Sequence, residues 1–474
     1  MKENIDLLIV GAGAAGMHAA IEARSHGLNV VVADDQPAPG GQIWRAVERR
    51  ASDPVGKILG EDYQSGVQTV RDFRACGADY RPQTQVWQIE QGWHVYMTMV
   101  PGGQPLSDTR AGVVQAANVL LATGAQERPA PFPGWTLPGV MTVGAAQILL
   151  KTSAQVPDEP VWIAGSGPLV LVYIKQLLEA GGRVAGWLDT APADNWRRGV
   201  PQFLPALGNW RELHKGYRWM QAIRAAGVPI YKGVTRLQAH GEGRLTEIEF
   251  QESGGAHQRV PARLLLVHEG VVPSIHMSRA LECEMIWRDD QHCFAPQVDE
   301  WGHSSQDGIF VAGDGAGIAG ARAACLRGRL AGLGIAMRAG RLTTAEAAQR
   351  ATPLRRKLTR ELALRPLLDA MYPPRTDLAR PADDTIVCRC EELTAGDIRA
   401  AAALGRPGPN QIKSFTRAGM GPCQGRQCGY TIANILSEAQ QRPVSEVGFY
   451  RIRPPLKPIT LGELASLDDE AGQP

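Results

Sequence analysis

Apolar positions along this chain switch between runs of strand length and a helical spacing, and the switch points mark its organisation. Asp6-Leu7-Leu8-Ile9-Val10 is a short apolar run that breaks on Gly11-Ala12-Gly13-Ala14-Ala15-Gly16. Small residues (Ala19, Ala20, Ala23) then recur at helical spacing up to Gly27, and a second apolar run over residues 29–33 ends on Asp34. The pattern predicts strand, glycine turn, helix and strand. Residues 43–81 read as mixed helix, and residues 84–99 alternate with period two around Gln91-Gly92, a hairpin. Val119-Leu120-Leu121-Ala122 is a buried-strand run that stops at Thr123-Gly124 and is expected to rejoin the first sheet; the prolines and glycines of residues 129–139 then mark a boundary.

A second strand-turn-helix begins at Val161, and residues 217–267 continue as helix, strand, a hairpin over 234–251 and strand. The chain then returns to the first unit through Ile309-Phe310-Val311-Ala312, Gly313-Asp314-Gly315 and a helix rich in Ala and Gly over about 318–338. Residues 343–371 are expected to form one solvated linker helix, or a docking face for an acidic partner, closed by Pro373-Pro374. Residues 451–458 read as an extended tail, with Asp468, Asp469 and Glu470 frayed.

The first turn carries chemistry. Gly11 allows the tight exit from the strand, Gly13 lets backbone approach a pyrophosphate, and Gly16 lets the helix lie close to the sheet. Unpaired N–H groups open that helix, those of Ala14 and Ala15 among them, at the positive end of its dipole. Asp34, eighteen residues past Gly16, can accept both ribose hydroxyls and would repel a 2′-phosphate, so FAD or NAD is favoured over NADP. The loop through Asp35, Gly40, Gly41 and Gln42 leaves the sheet beside the nucleotide and can offer N–H groups and the Gln42 amide. Asp314, behind Gly313, can place a carboxylate on a ribityl or ribose hydroxyl.

In the second turn Gly165 and Gly167 match the first two fingerprint glycines, but Val170 stands where the third belongs, and its branched Cβ holds the helix further out. That half either binds an adenine nucleotide or is a Rossmann unit kept for its shape.

A length of 474 residues suggests roughly two to four domains. A net charge of +2 gives no case for nucleic acid, although residues 341–380 hold nine Lys/Arg against four acids. The start lacks a basic n-region and cleavage site, and no run approaches a membrane span of about 18 residues. A cytoplasmic protein is expected, at most peripheral on the inner face of the membrane.

Of eight cysteines, Cys76, Cys283, Cys293 and Cys325 are scattered and read as buried packing residues. Cys388-Arg389-Cys390 and, after 32 intervening residues, Cys423 and Cys428 form two close pairs around a helical segment, 394–404. Four thiolates from two stiff turns suit a [2Fe–2S] cluster, with glycines turning N–H groups toward sulfur. Zinc is the rival, although C-x-C is unusual for it, and a cysteine group that holds no metal is the third reading.

Taken together, GAGAAG with DDQPAPGGQIWR, LLATGAQERPAPFPGWTLPGVMTVGAAQ, AGSGPL, VAGDGAGIAGARAA and VCRCEELT with GMGPCQGRQCG resemble the α (A) subunit family of opine oxidases. That family includes the flavin subunit (B) of hydrogen cyanide synthase and α subunits of D-hydroxyproline and proline dehydrogenases, and is related to the α chain of heterotetrameric sarcosine oxidase. The resemblance implies an α/β fold with two Rossmann-like dinucleotide-binding domains, similar to thioredoxin reductase with the second inserted in the first. A small helical iron–sulfur domain similar to bacterioferritin-associated ferredoxin follows. It sets a discontinuous FAD domain at 1–135 and 290–342, a NAD-like domain at 136–289, a helical linker at 343–380, the [2Fe–2S] domain at 381–445 and an extended tail at 446–474.

Gly11, Gly13, Gly16, Asp34, Gln42, Thr123, Gly124 and Asp314 match FAD-contact positions, and Cys388, Cys390, Cys423 and Cys428 match the cluster ligands. The last two have four residues between them where small ferredoxins have two. No CxxC stands in the second Rossmann half, so dithiol chemistry is excluded. The family further implies a hetero-oligomer with a β subunit that oxidises a secondary amine such as an opine or D-hydroxyproline, a small [2Fe–2S] γ subunit, and a respiratory electron acceptor. A second nucleotide, NAD or ATP, and a flavin shared at the subunit interface belong to the same expectation. The ten histidines match no nucleophile pattern, so no catalytic residue is assigned. The alternatives are a stand-alone NAD(P)H-dependent flavin reductase and a structural nucleotide-binding subunit.

Overall fold

A computed structural model describes residues 5–99, 109–405 and 407–471, the side chains of 468–471 excepted. Its first sheet is all parallel, with strands in the order Ile309–Val311, Val119–Leu121, Leu7–Val10, Val30–Ala33 and Asp79–Arg81. Leu7–Val10 pairs in register with Val30–Ala33, Leu7 opposite Val30, and every residue of both strands is buried. Such continuous apolar runs are what a sheet covered on both faces requires. The Ala14–Ser25 helix covers one face and the Ala321–Arg338 helix lies against it. Their approach is set by missing side chains: a Cβ on Gly328 would sit 2.1 Å from the Ala15 carbonyl oxygen.

The second unit repeats the plan. Ile230–Lys232, Val184–Asp189, Val161–Gly165, Leu265–His268 and Val140–Thr142 form a parallel sheet in that order, with an antiparallel sheet of Thr235–His240, Glu247–Gln251 and His257–Pro261 beside it. The chain leaves and re-enters the first unit along an antiparallel pair, Ala125–Glu127 with Val271–Pro273. The second unit is therefore inserted in the first, as expected.

Four local expectations change. Residues 343–371 form two helices, Thr344–Leu362 and Arg365–Met371, not one. Neither is merely solvated. Ala347, Ala351 and Leu354 pack with Trp301, Leu330 and Leu333, and the Arg355 guanidinium lies 4.5 Å from the Trp301 ring centroid. Two short strands, Asp79–Arg81 and Arg110–Gln115, join sheets although neither has a clear period. Cys76 and Cys325 are half-buried, whereas Cys283 and Cys293 are buried.

The tail is corrected most. Residues 448–460 are irregular, but Val444–Val447 and Leu461–Ala471 are helical, so Asp468, Asp469 and Glu470 continue a helix. Thr460 and Glu463 cap that helix reciprocally. The tail straps the cysteine unit to the first one. Leu456 N–H donates to Trp87 O at 2.7 Å, Lys457 pairs with Asp35, and Ala111 N–H donates to Ser466 Oγ at 2.9 Å.

Candidate functional site

The first turn has the geometry of an anion cradle. Gly13 caps the Ala14–Ser25 helix with no side-chain bond, so its opening N–H groups receive nothing from a capping side chain. A Cβ on Gly16 would stand 1.9 Å from the Gly11 carbonyl oxygen, and Gly11 itself has φ +104°. The Gly40–Gly41 loop closes on this turn, with Gly40 N–H donating to Ala12 O at 2.8 Å. A Cβ on Gly41 would be 2.9 Å from Gly13 Cα, so backbone meets backbone there.

Asp34 is buried at the tip of its strand. Its two oxygens accept N–H bonds from Ala12 at 2.9 Å and Gln36 at 3.0 Å. Burial pushes its carboxyl above the usual range against those bonds. One acceptor lone pair on each oxygen remains for a ribose diol.

Thr123-Gly124 and Gly313–Gly315 complete the same end of the sheet. Gly313 abuts Ala15, and Gly315 lies against Gly124 O and Thr123 Oγ1. Thr123 Oγ1 donates to Ser274 O at 3.1 Å, and Ser274 N–H returns a bond to Gly124 O at 2.9 Å. Asp314 Oδ1 accepts N–H bonds from Ala319 and Gly320, leaving Oδ2 for a ligand hydroxyl. The Gln42 amide oxygen accepts from Arg45, while its main-chain oxygen accepts from Lys151 Nζ at 3.0 Å.

Lys151 was not anticipated. It sits with Gln147 on the buried face of the Val143–Ser153 helix, and Gln147 bonds Gln176 in turn. Burial, then the Arg45 charge, pushes its ammonium down to about 7. The i, i+4 pair of polar residues among Val143, Ala146 and Leu150 was the available signal.

The second turn is built but covered. Gly167 caps the Pro168–Glu179 helix at φ +93°, and Val170 is fully buried behind it. Ligands of such sheets bind beyond the strand ends where the strand order reverses, here between Val161–Gly165 and Leu265–His268. The chain's own residues 372–375 cross this place. Tyr372 lies 3.8 Å from where a Gly167 Cβ would be. Arg375 pairs with Glu269, just past the second strand, at 2.8 Å, the side chains being 3% and 2% exposed.

Asp189, the acid at the end of its strand, is pushed up to about 6 by burial against the bond from Ala191 N–H, and Tyr372 is pushed up to about 12 by burial and then by the Asp189 charge. A carboxyl whose folded pKa is raised binds its proton more tightly in the native state. Stability therefore falls as pH rises from about 4 to 6, and the penalty is complete above that window. Asp189→Asn is expected to flatten this fall and to add about 1–2 kcal/mol at pH 7, read from thermal melts between pH 4 and 7.5.

The four clustered cysteines meet in crossed pairs. Cys388 ends the Ile386–Cys388 strand and Cys428 caps the Gly429–Gln440 helix; their sulfurs are hydrogen-bonded, as are those of Cys390 and Cys423. The Cys428 thiol, then N–H groups of Gly419, Glu391 and Cys390, hold Cys388 down at about 6. Tyr450 Oη stands 3.8 Å from the buried Cys428 sulfur. With the thiols paired in this way, no group of three or more His, Cys, Asp or Glu among the described residues is arranged to hold a metal ion. The donor set still fits an anionic cluster: two neighbouring sulfur pairs, one sulfur already favouring thiolate, with several N–H groups directed at them.

Comparisons with known proteins show the family. Residues 5–351 match the pyridine nucleotide-disulphide oxidoreductase family and residues 383–467 the sarcosine oxidase A3 domain. The α (A) subunit of opine oxidase from Rhizobium meliloti is 42% identical over 99% of this chain and 89% of its own length. The chain belongs to the α (A) subunit family of opine oxidases. Within that family it is a flavin-dependent oxidoreductase, and membership implies FAD. The HcnB subunit of hydrogen cyanide synthase from Pseudomonas aeruginosa is 34% identical over 99% of this chain and all of its own length. The alpha subunit of sarcosine oxidase from Corynebacterium sp. is 24% identical over 97% of this chain but only 45% of its own length. L-Proline dehydrogenase of P. horikoshii shares the fold, with a TM-score of 0.71 over 98% of this chain and 80% of its own, at 19% identity. No helix among the described residues is long and apolar enough to cross a membrane.

Proposed function

We propose that this chain is the electron-transfer component of a multi-subunit, FAD-dependent dehydrogenase acting on amines or amino acids. The observation that carries the proposal is the joining, in one polypeptide, of a dinucleotide cradle at Gly11–Gly16 and a four-cysteine unit, while the second nucleotide crevice lies under Tyr372. FAD would be held by the helix N–H groups behind Gly13, by Asp34 on the ribose and by Asp314 on the ribityl chain, with Gly40 and Gly41 closing over it. Cys388, Cys390, Cys423 and Cys428 would hold a [2Fe–2S] cluster. When bound, the two groups supply the change from paired to single electrons.

The residues of this chain bind and orient; none is assigned to move a substrate proton. The relatives carry the names of subunits, which supports a hetero-oligomer in which a β subunit oxidises a secondary amine, such as an opine or D-hydroxyproline, and a respiratory acceptor takes the electrons. The covered second crevice argues against a stand-alone NAD(P)H reductase.

Anaerobically purified chain is expected to contain flavin and two irons, and Cys428→Ser to lose the iron while keeping the flavin. Zinc without iron, or flavin bleached rapidly by NADH in the chain alone, would sink the reading. Candidate secondary amines should be oxidised only once the β partner is added.

A further inference from the structure

The Asn195–Ala206 helix is turned inside out. Trp196, Val200, Phe203, Leu204 and Leu207 recur at i, i+4, i+7, i+8 and i+11, which places them on one arc of about 100°. A surface helix normally buries such an arc. Here Trp196, Val200 and Phe203 are more than half exposed and Leu204 is 77% exposed. Only Gly199 and Ala206 are buried. Gly199 admits Leu367 and Met371 of the Arg365–Met371 helix, because a Cβ there would fall 2.9 Å from Leu367 Cδ1. The helix leans on the protein by its small side chains and stands out as a ridge. Trp210 and Tyr217, both exposed, extend the apolar surface onto the Trp210–Ala225 helix.

Cations border this surface. Residues 194–225 hold six Lys/Arg against two acids, Asp194 and Glu212. The Arg197 guanidinium lies 5.3 Å from the Trp196 ring centroid and that of Arg211 5.9 Å from the Trp210 ring centroid. Each charge is thus held beside an exposed indole.

We propose that this ridge docks on an anionic lipid surface. Trp, Phe and Leu on one arc, with arginines at its flanks, is the composition of a helix lying in the plane of the headgroup boundary. The apolar side chains enter the acyl region while the guanidinium groups stay among the phosphates. A convex ridge fits a deformable surface, whereas a protein partner would have to supply a matching groove. The inference is independent of how the cysteines are filled.

Flotation of the full chain with phosphatidylglycerol/phosphatidylcholine vesicles tests it. The chain is expected to float with these vesicles and at least tenfold less with pure phosphatidylcholine or at about 0.5 M salt. Phe203→Ser with Leu204→Ser should lower the bound fraction at least tenfold with the melting temperature unchanged, and Arg197→Glu with Arg211→Glu should do the same. Three results overturn the proposal: no flotation with either vesicle, flotation that the serine pair leaves unchanged, or a self-association that the serine pair abolishes in a chain that ignores vesicles. The last would assign the ridge to a second copy.

Discussion

Gly16→Ala is expected to leave the chain almost free of flavin. The new Cβ would lie 1.9 Å from the Gly11 carbonyl oxygen, a backbone atom with no rotamer to move aside. The helix must shift outward, which withdraws its N–H groups from the pyrophosphate. Overpacking of this kind costs about 1–3 kcal/mol even between side chains, and each 1.4 kcal/mol is about a tenfold loss of affinity. Flavin released on denaturation should fall at least about tenfold per mole of protein. Gly216→Ala is the matched control: Gly216 is in the Trp210–Ala225 helix with nothing within 4 Å of its missing Cβ, so alanine there should keep the flavin and stabilise the helix by about 1 kcal/mol. Normal flavin in Gly16→Ala would mean that the dinucleotide sits elsewhere.

The second large effect is expected at the Arg375–Glu269 pair. Both side chains are almost wholly out of water, and Glu269 also receives the Arg375 N–H at 3.4 Å. Removing Glu269 leaves the buried Arg375 with only the more distant Asp377 carboxylate, 3.4 Å from Nη1, a loss of up to about 3–5 kcal/mol, whereas replacing both buried partners with apolar residues of similar volume is often neutral. Glu269→Leu alone should lower the melting midpoint by roughly 3–5 °C. Arg375→Met added to it should recover most of that. If the double variant melts as low as the single one, the loss comes from the packing of this segment and not from an unpaired charge.

The first site was legible because its chemistry is local. Gly11, Gly13, Gly16 and Asp34 lie within one strand-turn-helix-strand unit, and Gly16 is demanded by the Gly11 carbonyl inside it, although Gly11 itself answers to the Ala122 carbonyl and Gly13 to Gly41, both outside it. Gly313 and Asp314 were readable for a related reason, since a strand ending at a helix start fixes where a carboxylate points. The cover over the second crevice was not legible. Nothing in the Tyr372-Pro373-Pro374-Arg375 segment states that it will cross the end of a sheet built from residues 140–268, because long-range docking leaves no periodic trace. The C-terminal helix is different: Thr460-x-x-Glu463 is a capping-box pattern that was open to reading, and the prolines before it drew the reading toward an extended tail. The apolar arc of Asn195–Ala206 shows in the sequence as a normal amphipathic helix; only the structure reveals which side faces out.

The strap formed by residues 448–466 has a consequence for how this molecule could be taken apart. Because Leu456 and Ser466 fasten the thiol-bearing module to Trp87 and Ala111 on the antiparallel sheet of Thr84–Glu90, His94–Met99 and Arg110–Gln115, and Lys457 fastens it to Asp35, that module is no detachable cartridge. Cut out, it would leave behind the anchors that fix its orientation. Grafted onto another flavoprotein, it would arrive without the main-chain bond, the ion pair and the serine contact that mount it on the first unit.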